Sequence, residues 1–178
     1  MTSASDAKSK GMNPWRVALW SLAALLLLLP AAAMQFSAAV NWSPGDFIFA
    51  ALLIGVVGLA IELAVRTSAS LAYRGGVAFA VAASVLIVWA NGAVGMIGSE
   101  DNPYNLLFLG VVALALAGAV TARFRAAGMT WAMSLAGLAQ LAVALGGLAQ
   151  DLNGALVSAA FAMPWLVSAA LFRNAAGE

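Results

Sequence analysis

The chain contains no histidine and no cysteine. The first absence removes the commonest metal ligand and the commonest general acid or base. The second removes disulfides, thiol nucleophiles and thiolate metal sites. Charge is scarce as well: 8% of residues are Asp, Glu, Lys or Arg, against roughly 25% in an ordinary soluble domain. So few charges cannot cover the surface of a water-soluble globule of 178 residues. The 8 Lys and Arg stand against 7 Asp and Glu, a net charge of +1, so no basic face exists for nucleic acid. Disorder is excluded too, because it requires low hydrophobicity and high net charge.

What is present is apolar: 64% of the chain is Ala, Val, Ile, Leu, Met, Phe, Trp or Tyr. A helix needs about 20 mostly apolar residues to span a bilayer. Six such runs are readable, over about 15–37, 46–66, 74–97, 104–122, 128–148 and 153–172. No ten-residue segments alternate polar with apolar, as the strands of a membrane barrel would. The fold class expected is therefore all-α, a polytopic bundle of six transmembrane helices. Residues 1–12 read as a small, polar, mobile tail, residues 13–173 as a single transmembrane domain, and residues 174–178 as a short tail.

Asn13-Pro14, Ser43-Pro44 and Asn102-Pro103 each place a capping side chain before a proline at the first helical position, where its missing N–H costs nothing. Asp46, three residues after Ser43, makes an acidic variant of the capping box. Asp151 and Asn153 are alternative caps for the last span. The positive charges fix an orientation. Lys8, Lys10, Arg16, Arg66, Arg74, Arg123, Arg125 and Arg173 all fall on one side, and Asp46, Glu100, Asp101 and Asp151 on the other. Both termini are thus expected in the cytoplasm. Lys8, Lys10 and Arg16 before a leucine run also resemble a signal peptide, but the apolar stretch from Val17 to Phe36 exceeds the usual 7–15 residues. It is read as a retained span.

Polar groups inside apolar spans are expensive and so are functional candidates. Glu62 lies about one turn from the end of the second span, and Arg66 follows at the favourable acid-before-base spacing. The pair reads as a snorkelling ion pair at the interface; a proton or cation relay is the alternative, and it normally wants a carboxylate nearer mid-membrane. Asn91 and Gln140 carry amides that most often hydrogen-bond across helices, worth about 0.6–2 kcal/mol. A substrate contact is their other reading. Pro30 and Pro164 predict kinks in the first and sixth spans. Gly92, Gly95 and Gly98, like Gly55 and Gly58, recur every third residue and read as faces for close helix packing. Trp15 and Trp42 suit interfacial anchoring, whereas Trp20, Trp89, Trp131 and Trp165 read as deeper filling.

The segment from Asn91 to Asn105 is the most unusual. It runs from a glycine-rich helix end through an acidic turn into a capped helix. Ser99, Glu100, Asp101, Asn102 and Asn105 gather hard oxygen donors that suit Ca²⁺ or Mg²⁺, with Asp46 and Asp151 from neighbouring loops able to join them. The bland reading is a cap and a solvated turn. No EF-hand spacing is present, and no metal ligand is assigned with assurance. The same segment, together with Asn41-Trp42-Ser43-Pro44-Gly45-Asp46-Phe47 and Glu62-Leu63-Ala64-Val65-Arg66, resembles an uncharacterised family of small bacterial polytopic inner-membrane proteins. Its shared motif is N-x-A-V-G-x-I-G-S-E-D-N-P-x-N, and the resemblance covers about residues 40–125. It implies a multi-pass protein of the bacterial inner membrane, and it carries over no activity, ligand or catalytic residue.

The functional expectation is a non-catalytic membrane protein acting through helix association, as a subunit or accessory factor. Its partners would be the lipid bilayer and either a second copy or another membrane subunit. The alternative is a small transporter or channel with Glu62, Asn91 and Gln140 along its path. An enzyme is disfavoured, since there is no His, no Cys, no pair of aspartates in a span and no nucleotide-binding glycine loop. No catalytic residue and no cofactor are assigned.

Overall fold

The structure is a computed structural model that describes residues 14–37 and 40–178. The expected 1–12 tail, the Asn13 cap and the Trp15 side chain lie outside the described residues. Helix accounts for 83% of what is described, with no strand among the described residues. The order is α1 (Pro14–Phe36), α2 (Pro44–Thr67), α3 (Leu71–Ala93), a 3-10 turn (Pro103–Asn105) running into α4 (Leu106–Thr121), α5 (Ala126–Gly146), α6 (Leu152–Ala160) and α7 (Ala162–Gly177). Six segments are long and apolar enough to cross a membrane, α6 and α7 together making the sixth.

The helix starts follow the local chemistry. At α2 the Ser43 N–H donates to Asp46 Oδ2 at 2.7 Å and the Asp46 N–H donates back to Ser43 Oγ at 3.3 Å, a reciprocal capping box. Asn102 Oδ1 accepts from the Tyr104 N–H at 3.0 Å. Asp151, not Asn153, caps α6, its Oδ1 accepting from the Gly154 N–H at 2.9 Å. The third span is shifted from its expected bounds of 74–97. Ser70 caps it, accepting from the Tyr73 N–H at 3.2 Å, so α3 starts at Leu71. It ends at Ala93 because Gly95 and Gly98 turn left-handed, at φ +77° and +70°. Those two glycines are turn residues, which corrects their reading as a helix-packing face; only glycine enters that region freely.

The sixth span is interrupted at Phe161, three residues before Pro164. Pro164 has no N–H to offer the Ala160 carbonyl, so the helix loses a rung there. Pro30, by contrast, sits inside an unbroken α1. The last helix also continues to Gly177, beyond the expected limit of 172.

The chain divides into two compact units, Met1–Gly58 and Leu59–Glu178. The first has almost no core: Ala50 is its single buried residue among those described. Trp20 lies against Gly58, where an added Cβ would stand 3.2 Å from the indole, while Gly55 has nothing within 4 Å. Trp42 packs edge-on to Phe47, with ring centroids 5.2 Å apart.

The second unit has a true core, in which Ile87, Ile97, Phe108, Met133, Trp165 and Phe172 are filled in by buried alanines along every helix. Without a hydrophobic force between helices in lipid, such small residues let backbones approach and gain van der Waals contact. Two close helix–helix approaches use glycines whose role has no regular spacing. A Cβ at Gly118 of α4 would stand 2.7 Å from Ala132 Cβ of α5, and one at Gly137 of α5 would stand 2.8 Å from Leu166 of α7. Trp165 is fully buried as expected, but Trp89 and Trp131 are 50% and 77% exposed, and Trp20 of the first unit is 58% exposed. Trp89 and Trp131 stand on the apolar exterior, on helices that also expose Leu86 and Leu135. These exposures correct the reading of all three as internal filling.

This packing makes Gly118 and Gly110 of α4 behave oppositely. Gly118→Val should lower stability by about 1–3 kcal/mol, the cost of overpacking a tight contact. Gly110→Ala, with nothing within 4 Å of its added carbon, should stay within about 0.5 kcal/mol. Thermal unfolding in detergent measures both.

Candidate functional site

The polar chemistry of the second unit gathers at one end, in the connection between α3 and α4. Residues 94–102 form no regular element, so their backbone groups need partners from elsewhere. Asn105 supplies most of them. It is 3% exposed, and its Oδ1 accepts from the N–H groups of Met96 and Ile97 at 3.1 and 2.8 Å. Its Nδ2 donates to the carbonyls of Ile97 and Ser99 at 3.3 and 2.8 Å. One side chain thus uses both of its acceptor sites and both of its donors.

Neighbouring residues tie this loop to the helices. Asn91 Nδ2 donates to the Asn105 carbonyl at 2.9 Å, joining the end of α3 to the 3-10 turn. Asn102 Nδ2 donates to the Ile97 carbonyl at 3.0 Å and to Gln150 Oε1 at 3.2 Å. Asp151 Oδ2 accepts from the Gly98 N–H at 3.0 Å. Ser158 Oγ donates to the Met96 carbonyl at 3.1 Å, and the Ser158 carbonyl accepts from Gln140 Nε2 at 2.9 Å. Tyr104 OH donates to the Val143 carbonyl at 2.7 Å. Asn91 and Gln140 are therefore joined by one string that passes through Asn105, Met96 and Ser158. Among the described residues, three buried side-chain atoms stay without a partner: Asn91 Oδ1, Gln140 Oε1 and Trp165 Nε1.

The proposed cation ligands do not converge. Asn102 Oδ1, Asn105 Oδ1 and both Asp151 oxygens already accept from backbone N–H groups. Glu100 and Asp101 are exposed at the tip. Asp46 belongs to the other unit and its carboxylate is engaged by Ser43. Among the described residues, no three acidic side chains are grouped to hold a metal ion. The N–H groups of Gly154 and Gly98 hold the Asp151 carboxyl below the usual carboxylate range.

The opposite end of the unit is basic. Arg66 Nε lies 2.7 Å from Glu62 Oε1, with Arg66 68% exposed and Glu62 30%. Arg74 reaches back along α2, donating from Nε to the Ser68 carbonyl at 3.0 Å. Arg123 and Phe124 turn left-handed, at φ 50° and 57°, which costs a non-glycine residue roughly 1–2 kcal/mol. Tyr73 OH secures that turn by donating to the Phe124 carbonyl at 2.7 Å, and its ring packs edge-on to Phe172. These contacts bring the α2–α3 and α4–α5 connections and the last turns of α7 to one end, so Arg66, Arg74, Arg123, Arg125 and Arg173 collect there. Arg74 and Asn91 are 17 positions apart on α3, about 25 Å of helix. Glu62 therefore belongs to the end remote from Asn91 and Gln140.

The residue sequence reasoning undervalued is Asn105, counted only as an oxygen donor. Its signal is faint, since an Asn two residues after Pro103 looks like part of the cap. The chain matches no protein-family model, and no curated protein or solved structure is significantly similar to it.

Two outcomes follow for the loop. Asn105→Ala should destabilise the protein by more than about 2 kcal/mol, because the N–H groups of buried Met96 and Ile97 lose their acceptor and the Ile97 and Ser99 carbonyls each lose a donor; Glu100→Gln with Asp101→Asn should stay within about 0.5 kcal/mol. Thermal unfolding in detergent separates them. The Asp151 carboxylate, with its lowered folded value, stabilises fully above its unfolded value of about 3.9 and loses that contribution as pH falls through the folded value. An Asp151→Asn variant should accordingly show a shallower loss of melting temperature than the parent below about pH 4. Equal slopes would show that the carboxylate does not hold the loop.

Proposed function

We propose that the chain is a multi-pass protein of the bacterial inner membrane that acts without catalysis, through helix association, as a subunit or accessory factor. The observation that supports this is the disparity in burial among the six spans. The most apolar windows of the first two are 0% and 6% buried, whereas the other four are 28–39% buried. The second unit has a buried core of its own; the first buries only Ala50 among its described residues, and apolar helices that bury so little suit contact with a further helix. A second copy of the chain or another membrane subunit is the partner of matching chemistry. In this reading both termini are cytoplasmic, supported by the gathering of five arginines at one end of the second unit and of Glu100, Asp101 and Asp151 at the other.

A small transporter or channel is the second reading. One observation favours it: Asn91 and Gln140 each keep an unpartnered buried acceptor, and intramembrane polar groups of that kind line pathways. The position of Glu62 at the far end weakens a path through all three residues.

The absence of cysteine lets single introduced cysteines test the proposal without background. A cysteine at Ser99 should react with an impermeant thiol reagent outside intact cells, and one at Ser70 should not; the reverse would invert the orientation. Cysteines at Leu52 and Val56, 65% and 61% exposed on one face of α2, should crosslink in native membranes to a second copy or another subunit. A chain that stays uncrosslinked at both sites and leaves the membrane as a single copy in native mass spectrometry would overturn the association reading.

A further inference from the structure

The arginines at the basic end of the second unit differ in what the fold asks of them. Arg66 is paired with Glu62 at 2.7 Å. Arg74 is turned onto the end of α2, donating to the carbonyls of Ser68 and Val65 at 3.0 and 3.4 Å. The side chains of Arg123, Arg125 and Arg173 are exposed, and among the described residues they enter neither an ion pair nor a hydrogen bond. Glu62 and Glu178 are the carboxylate side chains of the second unit at this end. The first is taken by Arg66, and the second is the last residue, beyond the end of α7. Arg125 stands immediately before α5, whose first turn holds no acidic residue. The positive end of that helix therefore adds to the charge and does not offset it.

The backbone at these three positions is tied together by one set of contacts. Arg123 and Arg125 flank Phe124, whose carbonyl accepts from Tyr73 OH at 2.7 Å. The Tyr73 ring packs on Phe172, with centroids 5.2 Å apart, and Arg173 is the next residue of α7. The α4–α5 turn is itself tight, since a Cβ added at Gly128 would stand 2.6 Å from Ala122 Cβ. Arg123 and Phe124 are the non-glycine residues with positive φ among those described. Glycine would relieve that strain, so two side chains are kept in the turn against a backbone preference. Apolar surface begins directly beside them: Phe124 is 42% exposed, and Val120 in the last turn of α4 is 56% exposed. In a bilayer such an exterior ends at the headgroup level. Guanidinium groups with no internal partner then stand among lipid phosphates, which they can bind in a bidentate fashion. A soluble anion would have to compete with phosphates that the membrane already supplies at this depth.

We propose that Arg123, Arg125 and Arg173 form a surface that recruits anionic phospholipids to the basic end of the second unit. The guanidinium groups take the headgroup phosphates, and Phe124 and Val120 lie against the acyl chains. No enclosed pocket is needed, because each arginine near the membrane surface raises affinity for anionic lipid roughly fivefold by itself. The proposal rests on the chain spanning a bilayer, and not on its association with another helix.

The test is electron paramagnetic resonance on the full chain in phosphatidylcholine vesicles, with a trace of spin-labelled phosphatidylglycerol or spin-labelled phosphatidylcholine. Lipid held at a protein surface gives a motionally restricted component, and its share with each probe gives the relative affinity. Averaged over the whole lipid boundary, the parent should favour phosphatidylglycerol by about twofold or more at low salt, and high salt should weaken the preference. The triple variant Arg123→Gln, Arg125→Gln, Arg173→Gln should lose most of it, while Lys at the same three positions should keep it. A control with Lys8→Gln, Lys10→Gln and Arg16→Gln removes equal charge elsewhere and should also keep most of it. Equal restriction of both lipids by the parent would overturn the proposal. So would a preference that survives the arginine-to-glutamine change, is lost with lysine, or falls as far in the control. No restricted component with either lipid would overturn the membrane-spanning reading itself, and the proposal with it.

Discussion

Where a chain reversal dips into an apolar bundle, as the α3–α4 connection does at buried Met96 and Ile97, its backbone must find hydrogen bonds inside the protein, because a close-packed core offers none. The rest of the second unit is arranged around that requirement. The α3–α4 connection leaves the helical state at Gly95 and regains it at Pro103, and in between it exposes N–H and carbonyl groups with no ladder to enter. Asn105 meets four of these demands with one side chain. Because it lies at the start of α4, the helix and the loop are fixed by the same residue. Asn91, Asn102, Asp151 and Ser158 then attach the loop to α3, α5 and α6. A neutral amide suits this hub better than a carboxylate, since it both donates and accepts and carries no charge into the core.

The two ends of the unit are closed by different means. At the acidic end the closure is a network of amide and carboxylate bonds to backbone. At the basic end it is one tyrosine, which seals a strained left-handed turn through its hydroxyl and packs on Phe172 through its ring. Between them the helices are held by alanine and glycine contacts, with few polar bonds. That division suits a membrane-spanning bundle: apolar close packing at mid-depth, and polar closure near the ends where the chain reverses. Of the exceptions at depth, Gln140 and Ser158 coincide with the broken sixth helix, where the Ser158 carbonyl accepts from the Gln140 side chain, and Ser168 Oγ joins α7 to α3 by donating to the Gly76 carbonyl at 2.7 Å.

Most of the architecture was legible because it depends on length and composition. Six apolar runs give six segments able to cross a membrane, and Ser43, Asn102 and Asp151 announced three helix starts through their own capping chemistry. The boundaries of α3 were not legible. Gly95 and Gly98 continue the three-residue spacing of Gly92, so a turn that needs positive φ is indistinguishable from a packing stripe until the backbone is seen. The tight contacts at Gly118 and Gly137 were hidden for the converse reason: each is decided by what stands opposite on another helix, and no periodicity within its own helix records that. Trp89 and Trp131 were misplaced because depth along a helix says nothing about which face carries the residue. The amide network was missed as a whole because its partners are backbone atoms, which have no letter in the sequence.

The candidate oxygen ligands show how the same residues can be read twice. From sequence, Asn102, Asn105 and Asp151 are hard donors close to two exposed acids, a composition that suits a divalent cation. In the fold, their oxygens already accept from N–H groups of the backbone. A cation would have to displace those bonds, and the Met96, Ile97 and Gly98 N–H groups would lose the acceptors that hold them. The chemistry that makes a turn look like a metal site is here the chemistry that satisfies the turn's own backbone. Glu100 and Asp101, the two acids that the loop does not use, are left at its exposed tip, where their charge stays solvated and marks the face opposite to the arginines.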